Sequence, residues 1–302
     1  MNAVHRRHNM ASTASESRHR AQKSLLAFFL VLIPLTALTD WKIIHAGGRI
    51  GDHRAILYCV MWTPMIASFA TRLIMREGFT DVSFRFGGKQ GLISNLIAWI
   101  YPMAVGSIAY GIAWMTGLAR YKCPNSGFLL AGLSALTVGT LKNCLSAAGE
   151  EIGWRGYLVP RLLDAGCPRP ILVSGLIWGA WHLPVLVAGS YVVSGSGVIL
   201  SSASFMFSIV FAGYLYAFLR LKSGSVWPAI LAHAAWNAII QGLFNQSTAG
   251  EFAAVGESGY LTVAVDTLMT VAIVYGAWKM FRKPGEEIQL APGKHASFFS
   301  NL

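Results

Sequence analysis

Charge is scarce in this chain. Asp, Glu, Lys and Arg make up 12% of its 302 residues, against about 25% in a soluble domain. Hydrophobic residues make up 54%. A soluble core of this size cannot enclose so much apolar surface, so lipid is the expected solvent. Cysteine is also sparse: Cys59, Cys123, Cys144 and Cys167 show no CxxC spacing, which argues against a disulfide framework or a zinc–cysteine site. There is no HExxH motif, no internal repeat, no low-complexity tract and no linker long enough to divide domains. Acidic residues number 13 against 24 basic ones, a net charge of +11. In a soluble protein that excess would suggest nucleic acid. Here the basic residues flank apolar runs, as membrane topology requires, and no nucleic-acid partner is expected.

What is present is a series of apolar runs. Eight spans are expected, near residues 25–44, 55–75, 92–116, 128–148, 171–189, 197–219, 226–244 and 260–281. Each approaches the ~20 residues that a helix needs to cross the hydrocarbon. The fold class is therefore all-α, a polytopic membrane protein of about eight helices enclosing an intramembrane cavity. The fourth apolar pattern runs on past Gly149 toward Pro160, too long for one upright helix, so a tilt or a break near Gly149 and Gly153 is expected. Residues 1–24 form a basic tail with Arg6, Arg7, Arg18, Arg20 and Lys23. The apolar run behind it lacks a small-x-small cleavage site and reads as a retained signal-anchor. Residues 25–282 form the transmembrane domain and 283–302 a second tail. Phe79, Phe84 and Phe86 suit residues 77–90 to the interface.

Loop charges set the orientation. With the N-terminus in the cytoplasm, the inside segments carry seventeen Lys and Arg and the outside loops five: Lys42, Arg49, Arg54, Arg120 and Lys122. Only Lys142 and Arg155 remain, both in the fourth element. The imbalance places both termini in the cytoplasm of a plasma or inner membrane.

Ionisable groups inside apolar spans are expensive, so their positions are informative. The acids that stand out within or beside membrane-depth segments are Glu150, Glu151 and Asp266, and the histidines are His182 and His233. In AAGEEIGWRGYLVPRL, Arg155 follows Glu151 by four residues, so the pair shares a helix face and Arg155 neutralises Glu151. Glu150 is left as the carboxylate suited to general-base chemistry. A buried Glu–Arg pair that fixes helix register is the plainer alternative. In LIWGAWHLPVL, Trp178 and His182 stand at i and i+4; in WPAILAHAAWNAII, His233 and Asn237 do the same. Taken singly, His182 could be a core histidine bonded to a backbone carbonyl, and His233 with Asn237 could be helix–helix glue.

Depth joins the three segments. At 1.5 Å per residue, Glu150 lies roughly 15 Å from the end near Pro160, His182 roughly 16 Å into the fifth span and His233 roughly 10 Å into the seventh. All three fall in the inner half of the bilayer, which favours one shared polar cavity. Asp266 is expected to pair with Lys142 or to lie near a loop end.

The ordered set Glu-Glu-x-x-x-Arg, aromatic-x-x-x-His and His-x-x-x-Asn resembles the CPBP family, the type II CAAX prenyl endopeptidases and bacteriocin-processing or immunity proteins. The likeness covers about residues 125–245. It implies that Glu150 activates a water molecule and that Glu151 and Arg155 orient it. His182 would help hold the water or the reacting carbonyl, and His233 with Asn237 would stabilise the oxyanion. Trp178 stands where phenylalanine is commoner and keeps an aromatic wall that could contact substrate. A metal-free mechanism is favoured; were zinc present, Glu150, His182 and His233 would be its ligands. The expected activity is endopeptidase cleavage of a membrane-bound peptide or protein near the cytoplasmic leaflet. The rival readings are a transporter or channel, and a non-proteolytic immunity or binding scaffold of the same fold.

Overall fold

The computed structural model describes residues 2–46, 53–188, 197–250 and 253–281. Arg49 and the segment 283–302 lie outside them. The described residues form eight long helices, which we number in chain order: α1 Asn2–Ala46, α2 Arg54–Ile74, α3 Gly88–Thr116, α4 Phe128–Asp164, α5 Pro170–Val187, α6 Val198–Ser223, α7 at residues 227–244 and α8 Tyr260–Phe281. All but α7 contain a segment long and apolar enough to cross a membrane. The chain is an integral membrane protein of all-α fold. Helix α7 fails that measure for a reason in its sequence: His233, Asn237 and Gln241 recur every fourth residue and lower its hydropathy. Lipid would reject that stripe, so it turns toward the protein interior.

Two helices differ from their expected spans. The basic segment before residue 25 is a continuation of α1. Two of its arginines satisfy carbonyls left open at the C-terminal ends of other helices. The Nε of Arg18 donates to the Ala165 carbonyl at 2.9 Å, and Nη2 of Arg20 donates to that of Met75 at 3.1 Å. Helix α4 runs for 37 residues, about 55 Å at 1.5 Å per residue. It does not break at Gly149 or Gly153; its irregularities are π-helical turns at Ala135–Gly139 and Trp154–Leu158. The two glycines instead let α2 approach. A Cβ at Gly149 would stand 2.5 Å from Cδ1 of Trp62, and one at Gly153 would stand 2.4 Å from Cβ of Pro64. This small-xxx-small spacing brings backbones together in membranes. The Trp62 indole donates across the seam to the Leu145 carbonyl at 3.1 Å.

The two ends of the bundle are chemically distinct. At one end Arg161 pairs with Glu77 and with Asp81, each at 2.8 Å, and Arg72 pairs with Asp81. Arg72 also donates to the Gly156 carbonyl at 3.1 Å, and Arg220 to that of Asp81 at 2.7 Å. We call this the basic end. Phe84 and Phe86, in the same connection, are exposed. At the other end two loops pair as short strands, β1 Arg120–Tyr121 and β2 Thr248–Ala249, with Arg120 opposite Ala249.

Asp266 pairs with neither Lys142 nor a loop. It is fully buried, and one carboxylate oxygen accepts from the Tyr101 hydroxyl at 2.7 Å. The same hydroxyl lies 2.9 Å from Oγ1 of Thr270. Asp266 thus ties α8 to α3 and takes no part in the cavity described next.

Candidate functional site

A cavity of about 610 Å³ lies inside the bundle. Glu150, Trp178, His182, His233 and Asn237 all line it. Polar groups of the wall come from every helix but α3 and α8: Asp40 of α1 and Arg54 and Tyr58 of α2 stand in it beside the residues that follow. Glu150 comes from α4, the Trp178–His182 pair from α5, Tyr216 from α6, the stripe His233–Asn237–Gln241 from α7, and Glu257 from the loop before α8.

Glu150 is almost wholly buried. The Trp178 indole donates to its Oε2 at 2.7 Å. No described residue hydrogen-bonds its Oε1, which leaves that oxygen for a guest in the cavity. A phenylalanine at 178 could build the same wall but could not hold this carboxylate. Trp178 therefore does more than the aromatic lining expected from sequence.

Glu151 points away from the cavity and is fully buried. Nη1 of Arg155 donates to both of its oxygens, at 2.9 and 3.0 Å. The predicted i, i+4 pair is thus formed, even though Arg155 lies in a π turn. The guanidinium packs over Trp178, 4.1 Å from the ring centroid, and over Tyr216 at 5.2 Å. Those ring faces supply a cation–π attraction that partly replaces water. Glu151 also accepts from Nδ1 of His233 at 2.9 Å. A carboxylate can only accept from that nitrogen, so Nδ1 carries the proton and Nε2 faces other partners.

His182 is oriented in the same manner. Its Nδ1 lies 2.9 Å from the Trp178 carbonyl, which again fixes the proton on Nδ1. Trp181 and Phe205 flank the ring, with centroids 4.7 and 5.2 Å away. The two histidines lie on either side of Trp178, whose ring centroid is 6.0 Å from that of His182 and 5.6 Å from that of His233.

Asn237 opens the π-helical stretch Asn237–Phe244 of α7. A π turn is wide and often marks a functional site. Its Oδ1 accepts from Nε2 of Gln241 at 3.2 Å. Gln241 also donates to Oε1 of Glu257 at 2.8 Å, and the Trp236 indole donates to the same oxygen at 3.0 Å. Burial pushes the Glu257 carboxyl above its ordinary range, while the Gln241 and Trp236 bonds oppose that rise.

Cavity residues that escaped the sequence reading include Asp40, a buried acid within the expected first span, and Tyr216, Gln241 and Glu257. Tyr216 stacks on His233, with centroids 6.0 Å apart and planes 26° apart, but nothing in the sequence of α6 distinguishes it. Gln241 could have been found by extending the i, i+4 stripe one step. Glu257 sits in a segment that reads only as a small, polar loop.

The six residues from three separated motifs converge here. Residues 132–239 match the family model of Type II CAAX prenyl endopeptidase Rce1-like proteins. All six fall inside the matched region, which runs from α4 to the first residues of the α7 π stretch. This is the family that the ordered motifs resemble, and it implies a membrane peptidase. No curated protein matches the chain.

Among the described residues, no group of three or more His, Cys, Asp or Glu gathers closely enough to hold a metal ion. Glu150 is engaged by Trp178, and Arg155, five residues further along α4, is bonded to the neighbouring Glu151. We derive no step through a metal.

The cavity also has a direction. Its lining on α2 is confined to the first turns, Arg54 to Met61, and on α4 it runs from Lys142 to Glu150. Gln246 and Glu257 line it at the strand-paired end. The ion pairs of Arg161 and Arg72 close the opposite side.

Proposed function

We propose that the protein is an intramembrane endopeptidase that cleaves a membrane-associated peptide or protein by attack of a water molecule activated by Glu150. The observation that carries this reading is the Glu150 carboxylate, held by the Trp178 indole in a cavity with two histidines and an asparagine, with no bond from a described residue to its Oε1. The carboxylate takes the proton of a water molecule as that water attacks the scissile carbonyl. His182, with its proton held on Nδ1, offers the lone pair of Nε2 to the water. His233, as an imidazolium that donates from Nδ1 to Glu151 and from Nε2 into the cavity, and Asn237 meet the oxygen on which negative charge develops. Donors of this kind are each worth about 10²–10³ in kcat. Glu151 and Arg155 act through others: Glu151 holds His233, and Arg155 fixes Glu151 and the Trp178 ring. The proton on Glu150 then passes to the leaving amine.

We further propose that the basic end faces the cytoplasm, as the loop charges require. The substrate then reaches Glu150 from the strand-paired end, by way of the opposite leaflet. This proposal departs from the expectation of cleavage near the cytoplasmic leaflet. Exposed Cys123, in the loop that carries β1, tests the orientation. A membrane-impermeant maleimide applied to intact cells should label Cys123 and lose that signal in Cys123→Ser. Labelling only after permeabilisation refutes it.

The decisive experiment on activity is Glu150→Gln in lipid nanodiscs, read with a quenched farnesylated CAAX peptide and, in cells, by comparing protein termini with the wild type. The expected outcome is a fall in cleavage of about 10²–10⁴-fold with unchanged thermal stability. Equal cleavage by the variant, or no terminus that differs between the two strains, overturns the proposal.

A further inference from the structure

We infer that Glu257 and Gln241 form a polarity relay that sets which end of the Asn237 carboxamide faces the cavity. The inference rests on the reading of Asn237 as an oxyanion donor.

An asparagine amide has an accepting end and a donating end of nearly the same shape. Packing alone distinguishes them poorly; hydrogen-bond partners decide. Asn237 can serve an oxyanion only when its NH2 faces the cavity and its oxygen faces away. The neighbour that accepts no alternative is a carboxylate, because its oxygens accept. Glu257 supplies one. Both of its bonds fall on Oε1, from Gln241 at 2.8 Å and from Trp236 at 3.0 Å. Gln241 must therefore turn its NH2 toward Glu257. The second hydrogen of that NH2 is then directed at Asn237, whose Oδ1 receives it at 3.2 Å. Both hydrogens of the Asn237 amide remain for the cavity. The loop carboxylate thus determines, across two amides, the sign of the group offered to the substrate.

The loop is built to hold that carboxylate in place. Gly256 has φ of +93°, a left-handed conformation that side chains resist. Its N–H donates to the Tyr110 hydroxyl at 3.0 Å, and that hydroxyl donates in turn to Asn245. At Gly259 a Cβ would meet the Val255 backbone at 2.4 Å, so the turn closes only on glycine. Helices α3 and α7 therefore both fix the position of Glu257. The arrangement also explains the four-residue repeat on α7. His233 and Asn237 face the reacting group, and Gln241 relays to the loop.

The test reverses the relay without removing it. Gln241→Glu replaces a donor by an acceptor, so Asn237 must turn its NH2 toward residue 241 and its oxygen toward the cavity. Gln241→Met removes the hold and imposes no direction. With the quenched farnesylated peptide in nanodiscs, Gln241→Glu should lower kcat by about 100-fold, the effect of losing one oxyanion donor, with KM within about twofold. Gln241→Met should lower kcat by only a few fold. Glu257→Leu should resemble Gln241→Met, and Glu257→Gln, which keeps an accepting oxygen, should restore near-wild-type kcat. A residue that merely supported the fold would give the reverse order, with Met at 241 no better than Glu. An activity-independent readout is the side-chain amide resonance of Asn237 in 15N-Asn-labelled protein. It should move in Gln241→Glu and stay in Glu257→Gln. A resonance unmoved by Gln241→Glu, or a loss confined to KM, overturns the relay. Glu150→Gln separates the two proposals: full cleavage by that variant refutes the site reading, while the Asn237 resonance still decides the relay.

Discussion

Replacing Glu151 by glutamine should damage the fold, whereas the same change one residue earlier should damage only the chemistry. Glu151 and Arg155 are 0% and 1% exposed. Among the described residues the carboxylate is the one anion bonded to this guanidinium, whose Nε and Nη2 are buried with no described partner. Glutamine keeps one accepting oxygen and loses the charge. Removing one member of a buried pair costs about 3–5 kcal/mol, because the other charge is left uncompensated. The Trp178 and Tyr216 faces at 4.1 and 5.2 Å soften that cost, so the lower end of the range is expected. A loss of about 3 kcal/mol is roughly a hundredfold shift in the folding equilibrium at 1.4 kcal/mol per factor of ten. The double variant Glu151→Gln/Arg155→Met should recover most of it, since no buried charge remains. Its activity should stay low, because His233 keeps only a weakened acceptor. The assay is unfolding in mixed micelles for the wild type, both single variants and the double variant, analysed as a cycle. A Glu151→Gln protein as stable as the wild type, or a double variant no better than the single, would refute the reasoning.

Two further outcomes follow from packing. Gly153→Leu forces side-chain atoms into the Pro64 backbone, where even a Cβ stands 2.5 Å from the carbonyl carbon. It should destabilise the bundle by more than about 3 kcal/mol, above the usual cost of overpacking, and recovery of folded wild-type-like protein would contradict the seam. Tyr101→Phe removes a donor from buried Asp266, which should lower stability by about 1–3 kcal/mol while kcat stays unchanged; a selective loss of kcat would place Asp266 in the reaction after all.

The helices were legible because lipid imposes a simple rule of length and apolarity, and seven of them obey it. The eighth was expected by the same rule, as a run near 226–244, although His233, Asn237 and Gln241 lower its hydropathy. Convergence of Glu150, His182 and His233 followed from matched depth along three spans. Helix adjacency did not follow. Lys142 and Asp266 are the right charges at plausible depths, yet Asp266 belongs to the α3–α8 contact and Lys142 to the cavity wall. Neither was the length of α4 readable, because π turns and glycines both disturb a helical pattern without ending it. Glu257 was hidden because a loop residue acquires meaning only from what it touches, here Trp236 and Gln241.

The glycine seam has a consequence for how a guest enters. Glu150 stands directly after Gly149 and three residues before Gly153, so the proposed base rides on the close glycine contact between α2 and α4. Side chains can slide past one another by changing rotamer, but two touching main chains have no such slack. Any opening wide enough for an extended peptide must therefore hinge elsewhere around the ring of helices, leaving the α2–α4 pair as the fixed jaw against which the rest of the bundle moves.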